Sequence, residues 1–382
     1  MKVCDVVLNS IWYDPRVRKQ LTEYKANNID VTAVGMKCQR YDEKKTKLIP
    51  CSADIVQIDE KFDGQQKGLL RKLKREKLRF KAVVAAIVRC KPDIIHANDL
   101  NALIPAYHAA KKLKCKIIYD SHEINVENYT TNGKSKIAGL MRAIEKYIVK
   151  RVDLMVCVSN ATADYFHAEY GIKRPLVVTN CSLKKEITAC SYSDKHSGFE
   201  ILNHGQFYAG RGYEQMLDAA TLLKEEYTDI KICVRGFGRL ENEMRKRAEE
   251  NNLNNFIFYP PVNVEQLIIE ASRSHVGVAI TEPICLNFKL SVSNKLFEYA
   301  AAGLPVIMSD IPEHRYLNNK YDFGLIIPEN TPEAIAEAAR KLYNDKLLYN
   351  RLSENSVRMS KELNWENEFY KLVEAEKQLL NK

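Results

Sequence analysis

The sequence predicts an α/β protein built as two Rossmann-like, doubly wound parallel-sheet domains facing across a cleft. Three observations carry that expectation. At 382 residues the chain is too long for one ordinary core. Short apolar runs alternate with longer helical patterns, and this series is run through twice. Between the two series lies CSLKKEITACSYSDKHSG, residues 181–198, which is polar and without period and reads as a hinge.

In chain order, strands are expected at Lys2–Asn9, Asp30–Gly35, Asp93–Ala97, Lys116–Asp120, Leu154–Ser159 and Leu176–Asn180. Helical patterns fill 15–27, 68–90, 100–113, 134–150 and 160–170. The second series gives strands at Glu200–His204, Ile230–Arg235, Phe256–Tyr259, Val276–Ile280, Val306–Met308 and Leu325–Ile327, with helices between them. A helix over Thr331–Tyr343 starts Thr-Pro-Glu, which suits N-cap and first-turn preferences, and a last helix lies near Glu366–Leu380. The domains expected are 1–182 and 198–364.

Composition narrows the class. Apolar residues make up 46% of the chain, enough for two cores, yet no run approaches the ~18 uninterrupted apolar residues of a membrane span. MKVCDVVLNS reads as a strand and not as a secretory leader, so a cytoplasmic protein is expected. The ten cysteines are scattered without Cys-x-x-Cys spacing and read as reduced thiols. Net charge is +9, and residues Lys67–Lys81 (KGLLRKLKREKLRFK) hold eight basic side chains against one acid. Leu69, Leu70, Leu73, Phe80, Val83, Val84 and Ile87 recur there at helical spacing. Such a basic amphipathic helix can lie on an anionic membrane surface, which would make the protein peripheral on the inner face of the cell membrane; a core-packed helix with a solvated basic face is the equal alternative. Nucleic acid is not an expected partner, because no zinc spacing or aromatic-basic interleaving accompanies the charge.

The most informative stretch is NFKLSVSNKLFEYAAAGLPVI, Asn287–Ile307. It sets a polar turn, a short helix and a buried strand in series. Ser291, Ser293 and Asn294 are residue types that open helices, and the N–H groups at such a helix start favour phosphate oxygens. Lys295 adds a full positive charge, Glu298 follows one turn later, and Gly303-Leu304-Pro305 closes the helix.

SNKLFEYAAAGLPV is similar to the signature of family 4 glycosyltransferases, the retaining, nucleotide-sugar-dependent enzymes of the GT-B architecture, and most to bacterial polysaccharide enzymes with an Asn-Lys-Leu-Phe-Glu-Tyr helix. The resemblance implies a metal-independent hexosyltransferase-type enzyme with no cofactor beyond its nucleotide-diphosphate sugar. It implies that Glu298 holds the ribose hydroxyls and that Asn287, Ser293 and Asn294 line the donor site. Many members carry a second glutamate eight positions before the first; here that position is Leu290. GQFYAGRGYEQ, from Gly205, resembles the family's phosphate-binding loop, with Gln206 in place of the usual arginine and Arg211 in place of the lysine. Arg211 and Lys295 are then the diphosphate clamp. Gly236 and Gly238 resemble the family's glycine pair at a strand-to-helix turn, a plain tight turn being as good a reading. Val262 matches the base-contacting turn. His122, in YDSHEI, matches a histidine beside the donor sugar, and Asp14 and Arg16 match a family pattern at the domain cleft; together with Asp99, which ends another strand, they can order an acceptor. Capping of the following helices explains Asp14 and Asp99 as well. The terminal helix, 365–382, resembles the one that crosses back onto the first domain.

No two aspartates stand two residues apart, so the Asp-x-Asp metal site of the other main glycosyltransferase fold is missing, and no metal is expected. Also missing are a phosphate loop of the Walker type and a Gly-x-Ser-x-Gly elbow. The resemblance implies transfer of a sugar to a glycan or lipid-linked oligosaccharide in cell-surface polysaccharide synthesis. Two rivals stay open: a nucleotide-sugar 2-epimerase of similar plan, and a non-catalytic nucleotide-binding partner subunit permitted by Leu290 and Gln206.

Overall fold

The computed structural model describes residues 1–37, 49, 51–56, 69–127 and 135–381. The chain forms two compact units, Met1–Thr179 with Glu368–Lys382, and Asn180–Asn367. The first contains β1 (Lys2–Val7), β2 (Asp30–Met36), β3 (Ser52–Val56), β4 (Ile94–Asn98), β5 (Lys116–Ser121), β6 (Leu154–Cys157) and β7 (Leu176–Val177). They form one parallel sheet in the order β3-β2-β1-β4-β5-β6-β7. The second contains β8 (Phe199–Phe207), β9 (Ile230–Gly238), β10 (Phe256–Tyr259), β11 (Val276–Ala279), β12 (Val306–Ser309) and β13 (Gly324–Ile327). These are parallel too, in the order β10-β9-β8-β11-β12-β13. Both units are Rossmann-like. In each, the first strand is flanked by strands that wind away in opposite directions, which opens a crevice at its carboxyl end where ligands bind.

Three expectations need correcting. Ser52–Val56 is a strand the sequence did not announce: Ser-Ala-Asp-Ile-Val has no apolar run, and as the edge strand β3 needs none. Lys346–Glu362 is a helix that was not foreseen, because its buried stripe of Tyr349, Leu352, Ser356, Met359 and Ser360 is interrupted by two serines. Ser356 is tolerated there because its hydroxyl donates to the Leu304 carbonyl at 2.8 Å. The segment read as a hinge packs on the second unit: Thr188 N–H donates to the Ala301 carbonyl at 2.8 Å and Lys195 Nζ to the carbonyls of Ser272 and Ser274 at 2.9 and 2.7 Å. Isolated hydrogen bonds of this sort leave no periodicity to read.

The basic helix runs Leu69–Cys90, and Lys67 and Gly68 lie outside the described residues. Its later turns enter the core through Val83, Ala86 and Ile87, each at 0% exposure, whereas Leu73 is 57% exposed. Among the described side chains, the apolar stripe read from the sequence is covered in those later turns and open at Leu73. At the other end of the chain, the helix Trp365–Leu380 packs on the first unit's helix Pro15–Ala26 through Phe369, whose ring meets Tyr24 edge-on at 4.9 Å.

Candidate functional sites at the two sheet switch points

In the second unit, Asn203-His204-Gly205 lies in the carboxyl-terminal half of β8, and helix Asn294–Ala301 meets it there. That helix exists because Leu296, Phe297, Ala300 and Ala301 bury one face, and it ends at Gly303. The Asn203 amide accepts from Lys295 Nζ and donates to the Arg211 carbonyl at 3.1 Å. Lys295 also lies over the Tyr213 ring at 5.2 Å. Burial, reinforced by the neighbouring Arg211 charge and opposed by Glu298, pulls the Lys295 ammonium down to about 7. Arg211 stacks over Phe288 at 4.3 Å and is steered by the Tyr208 hydroxyl at 3.2 Å and Thr281 Oγ1 at 3.4 Å. These are long, weak bonds for a guanidinium, so its fork is placed but little neutralised.

Two helix starts add partial positive charge. Helix Tyr213–Leu223 begins after Gly212 and helix Asn294–Ala301 after Ser293, and neither has a side-chain cap. Gly212 is obligatory: its φ is +78°, and a Cβ would sit 2.4 Å from Ile280. The carboxylate at this site, Glu298, is 27% exposed and receives His204 Nε2 at 2.7 Å.

Of the residues read as donor-binding, Arg211, Lys295, Glu298, Gly205, Ser293 and Asn294 are brought to this end of β8. Asn294 is exposed, its Oδ1 accepting from the Asn180 amide at 3.3 Å. Asn287 is 5% exposed and belongs to a short helix, Leu286–Leu290, where a polar turn was expected. The Cys285 thiol caps that helix, accepting from Phe288 N–H at 3.5 Å, an N-cap the sequence does not advertise. Gly236 and Gly238 are corrected outright: they lie inside β9, paired with Gly205 and Phe207, and not in a turn after it. A Cβ on Gly236 would come 1.9 Å from the Gly205 carbonyl oxygen, so the pair serves the close approach of two strands. Val262 is half-buried in the loop after β10, the edge strand two places from β8.

The first unit gathers a different group at the ends of β1, β4 and β5. Its centre is Asp120, at 0% exposure, which receives both Nε and Nη2 of Arg16 at 3.0 and 2.9 Å and Gln20 Nε2 at 2.8 Å. Arg16 Nη1 donates to the Val178 carbonyl at 2.9 Å. Arg16, expected to meet substrate, is thus 3% exposed and committed to a buried ion pair. Burial alone would raise Asp120, but Arg16 and His122 outweigh it and hold the carboxylate well below its usual range. His96 stands 3.3 Å from Asp120 Oδ2 and 3.2 Å from the Tyr24 hydroxyl, which donates to Glu376 of the terminal helix at 2.5 Å.

His122 reaches the same centre. Its Nε2 is 3.1 Å from Asn98 Oδ1 and 3.7 Å from Asp120 Oδ2, and its Nδ1 is 3.6 Å from Asp99 Oδ2. Burial disfavours the imidazolium, but the Asp99 and Asp120 carboxylates overcome it and lift His122 to about 9. The ring is 16% exposed, a cation at neutral pH and so a hydrogen-bond donor, not a base. Asp14 caps helix Pro15–Ala26 through the N–H groups of Arg16 and Val17, both at 3.1 Å, the bland one of its two readings. Asp99 does not cap its own helix. It sits at φ +66° and receives His122 N–H at 3.0 Å, which fixes the loop that carries the histidine.

Sequence reading missed Asp120, Gln20, Glu376 and His204. The signal for Asp120 was an acid ending an otherwise apolar buried strand; for His204, a histidine directly before Gly205.

Two family models match the chain: residues 15–182 match Glycosyltransferase Family 4, and residues 191–359 match Glycosyl transferases group 1. The chain is 30% identical over 162 residues to the O-antigen chain mannosyltransferase C of Escherichia coli, a match spanning 42% of this chain and only 41% of that protein. It is 21% identical to the putative glycosyltransferase EpsD of Bacillus subtilis over 77% of this chain and 76% of that one. Among solved structures, the Anabaena protein HepE in complex with UDP and glucose superposes with a TM-score of 0.74 at 14% identity, over 99% of this chain and all of the other. At that identity the likeness speaks for the fold.

Proposed function

The chain belongs to glycosyltransferase family 4, and from that premise we propose that it moves a hexosyl group, with retention of anomeric configuration, from a nucleotide-diphosphate sugar to a glycan or lipid-linked oligosaccharide in cell-surface polysaccharide synthesis. The observation that carries the reading is the convergence of Arg211, Lys295 and two uncapped helix starts at the carboxyl end of β8. Together they match the charge of a diphosphate, and the electrostatic demand of the reaction grows as that group departs. Glu298 takes the ribose hydroxyls. His122, held protonated by its two carboxylates, serves as a hydrogen-bond donor to the transferred sugar. No metal is assigned a part, since the cations of the chain itself supply the counter-charge.

The names of the relatives set the order of trial: mannosyl donors, then UDP-sugars. Thermal-shift screening against UDP-, GDP- and ADP-sugars should give one clear winner, and the winning sugar nucleotide should leak slowly to free sugar and nucleotide without acceptor. An isomerised sugar still joined to its nucleotide would instead make the chain an epimerase, and binding without any turnover would make it a non-catalytic subunit.

Lys295 gives this reading a pH signature. Its folded value of about 7 lies below the free value of 10.5, so above neutrality the empty site holds a largely neutral amine. A bound diphosphate favours the ammonium. Nucleoside diphosphate binding should therefore take up a proton at pH 8 and weaken as pH rises from 7, by up to about tenfold per unit. Calorimetric titration in two buffers of different ionisation enthalpy measures the uptake; equal heats would count against it.

We also place the protein at an anionic membrane surface, where a lipid-linked acceptor would be met. The first unit exposes Leu73 at 57% and Leu78 at 38% beside the basic residues of helix Leu69–Cys90. Helix Lys136–Val149 exposes Ile137 at 75%, Leu140 at 61% and Tyr147 at 53%, with Lys136, Lys150 and Arg151 around them. Vesicles containing phosphatidylglycerol should sediment the protein. Ile137→Glu with Leu140→Glu should lower the bound fraction severalfold at both low and high salt, as loss of apolar insertion requires. No helix among the described residues is long and apolar enough to cross a membrane.

A further inference from the structure

We infer that His204 is a positioning residue for the nucleotide: its imidazole anchors the Glu298 carboxylate in the orientation that reads the ribose. The proposal rests on the reading of Glu298 as the ribose contact and goes one layer below it.

His204 is the sixth residue of β8 and is 1% exposed. Its Nε2 lies 2.7 Å from Glu298 Oε2, a charge-assisted distance with the nitrogen donating. The ring cannot turn away easily. It lies against Tyr299 with centroids 4.5 Å apart, and the Tyr299 hydroxyl accepts from the His204 backbone N–H at 3.0 Å. The histidine is thus clamped front and back by helix Asn294–Ala301, the helix that carries Glu298. Its Nδ1 is buried with no hydrogen-bond partner among the described residues, so Glu298 is the polar group that fixes which nitrogen bears the proton.

A glutamate side chain has three rotatable bonds and several staggered orientations open to it. Bidentate recognition of vicinal hydroxyls needs one orientation only. A buried donor on a central strand favours it, because β8 is hydrogen-bonded to a neighbour on each side and holds its side chains in place. Asn203, one residue earlier, holds Lys295 of the same helix in the same way. Two consecutive strand residues therefore set the two charged side chains of that helix, one for phosphate and one for sugar.

The test uses discrimination between UDP and 2′,3′-dideoxy-UDP, or the GDP pair if the donor screen selects guanine, read as the ratio of dissociation constants. Wild-type protein should prefer the ribose form by about tenfold or more, as a pair of hydrogen bonds to a carboxylate warrants. Glu298→Gln should erase most of that preference. His204→Phe, which keeps the stacking on Tyr299 but has no ring N–H, should reduce it to about twofold while binding the dideoxy form as wild type does. His204→Gln, with an amide N–H near the same place, should restore it. If Glu298→Gln keeps the full preference, the ribose reading is wrong. If Glu298→Gln loses it and His204→Phe keeps it, or if His204→Phe weakens both ligands equally, His204 is only a packing residue and the inference fails.

Discussion

Arg211→Ala is expected to weaken nucleoside diphosphate binding by about a hundredfold, because it removes two charge-assisted hydrogen bonds to phosphate worth roughly 1.5 kcal/mol or more each. The unliganded protein should melt within a degree or so of wild type, since Arg211 is held by bonds of 3.2 and 3.4 Å and by the faces of Phe288 and Tyr208. Glu298→Ala should abolish the nucleotide-induced thermal shift as well, with a small effect of its own on the unliganded melting point. Titration calorimetry and melting curves on the same preparations decide it. Normal binding by both variants would remove the donor site from the end of β8, and a large loss of melting temperature would mean that Arg211 braces the loop Tyr208–Gly212.

Arg16→Met is expected to cost the first unit about 3–5 kcal/mol, the range seen when one partner of a buried pair is removed and the other charge is stranded. The group left behind is Asp120, which keeps Gln20, His96 and the more distant His122 but loses the two-nitrogen grip of the guanidinium. Because the residues read as holding the nucleoside diphosphate are all in the second unit, binding of UDP or GDP should survive at temperatures where the variant still folds. Denaturant unfolding followed by near-ultraviolet dichroism, with a parallel binding titration, separates the effects. A variant as stable as wild type but unable to turn over would revive Arg16 as a substrate contact and overturn its assignment to the ion pair.

How much of this was legible in sequence depended on whether an interaction was local or distant. Asp14 before Pro15 announces an N-cap, and the structure makes it one through atoms two and three residues away. Helix Asn160–Tyr170 has the bounds expected of it, with Ser159 capping and Gly171 closing it at φ +61°. The alternation of apolar runs sufficed for two parallel sheets, because strands buried on both faces have little choice of composition. The Arg16–Asp120 pair joins residues 104 apart, and nothing near either one names the other. Gly236 was misplaced for a related reason. A glycine that ends an apolar run looks like a turn, and only the carbonyl of Gly205 on the neighbouring strand shows that the strand continues through it.

The terminal helix has a consequence for how the polypeptide is made. Glu376 is wholly buried and reaches Tyr24, 352 positions back, and the Glu368 carboxylate accepts the Thr179 amide at 2.9 Å. The unit translated first therefore lacks a wall until the helical segment from Glu368 to Leu380 has left the ribosome, whereas Asn180–Asn367 is contiguous and can close on its own. Synthesis is linear, yet of these two units the one begun first is completed second.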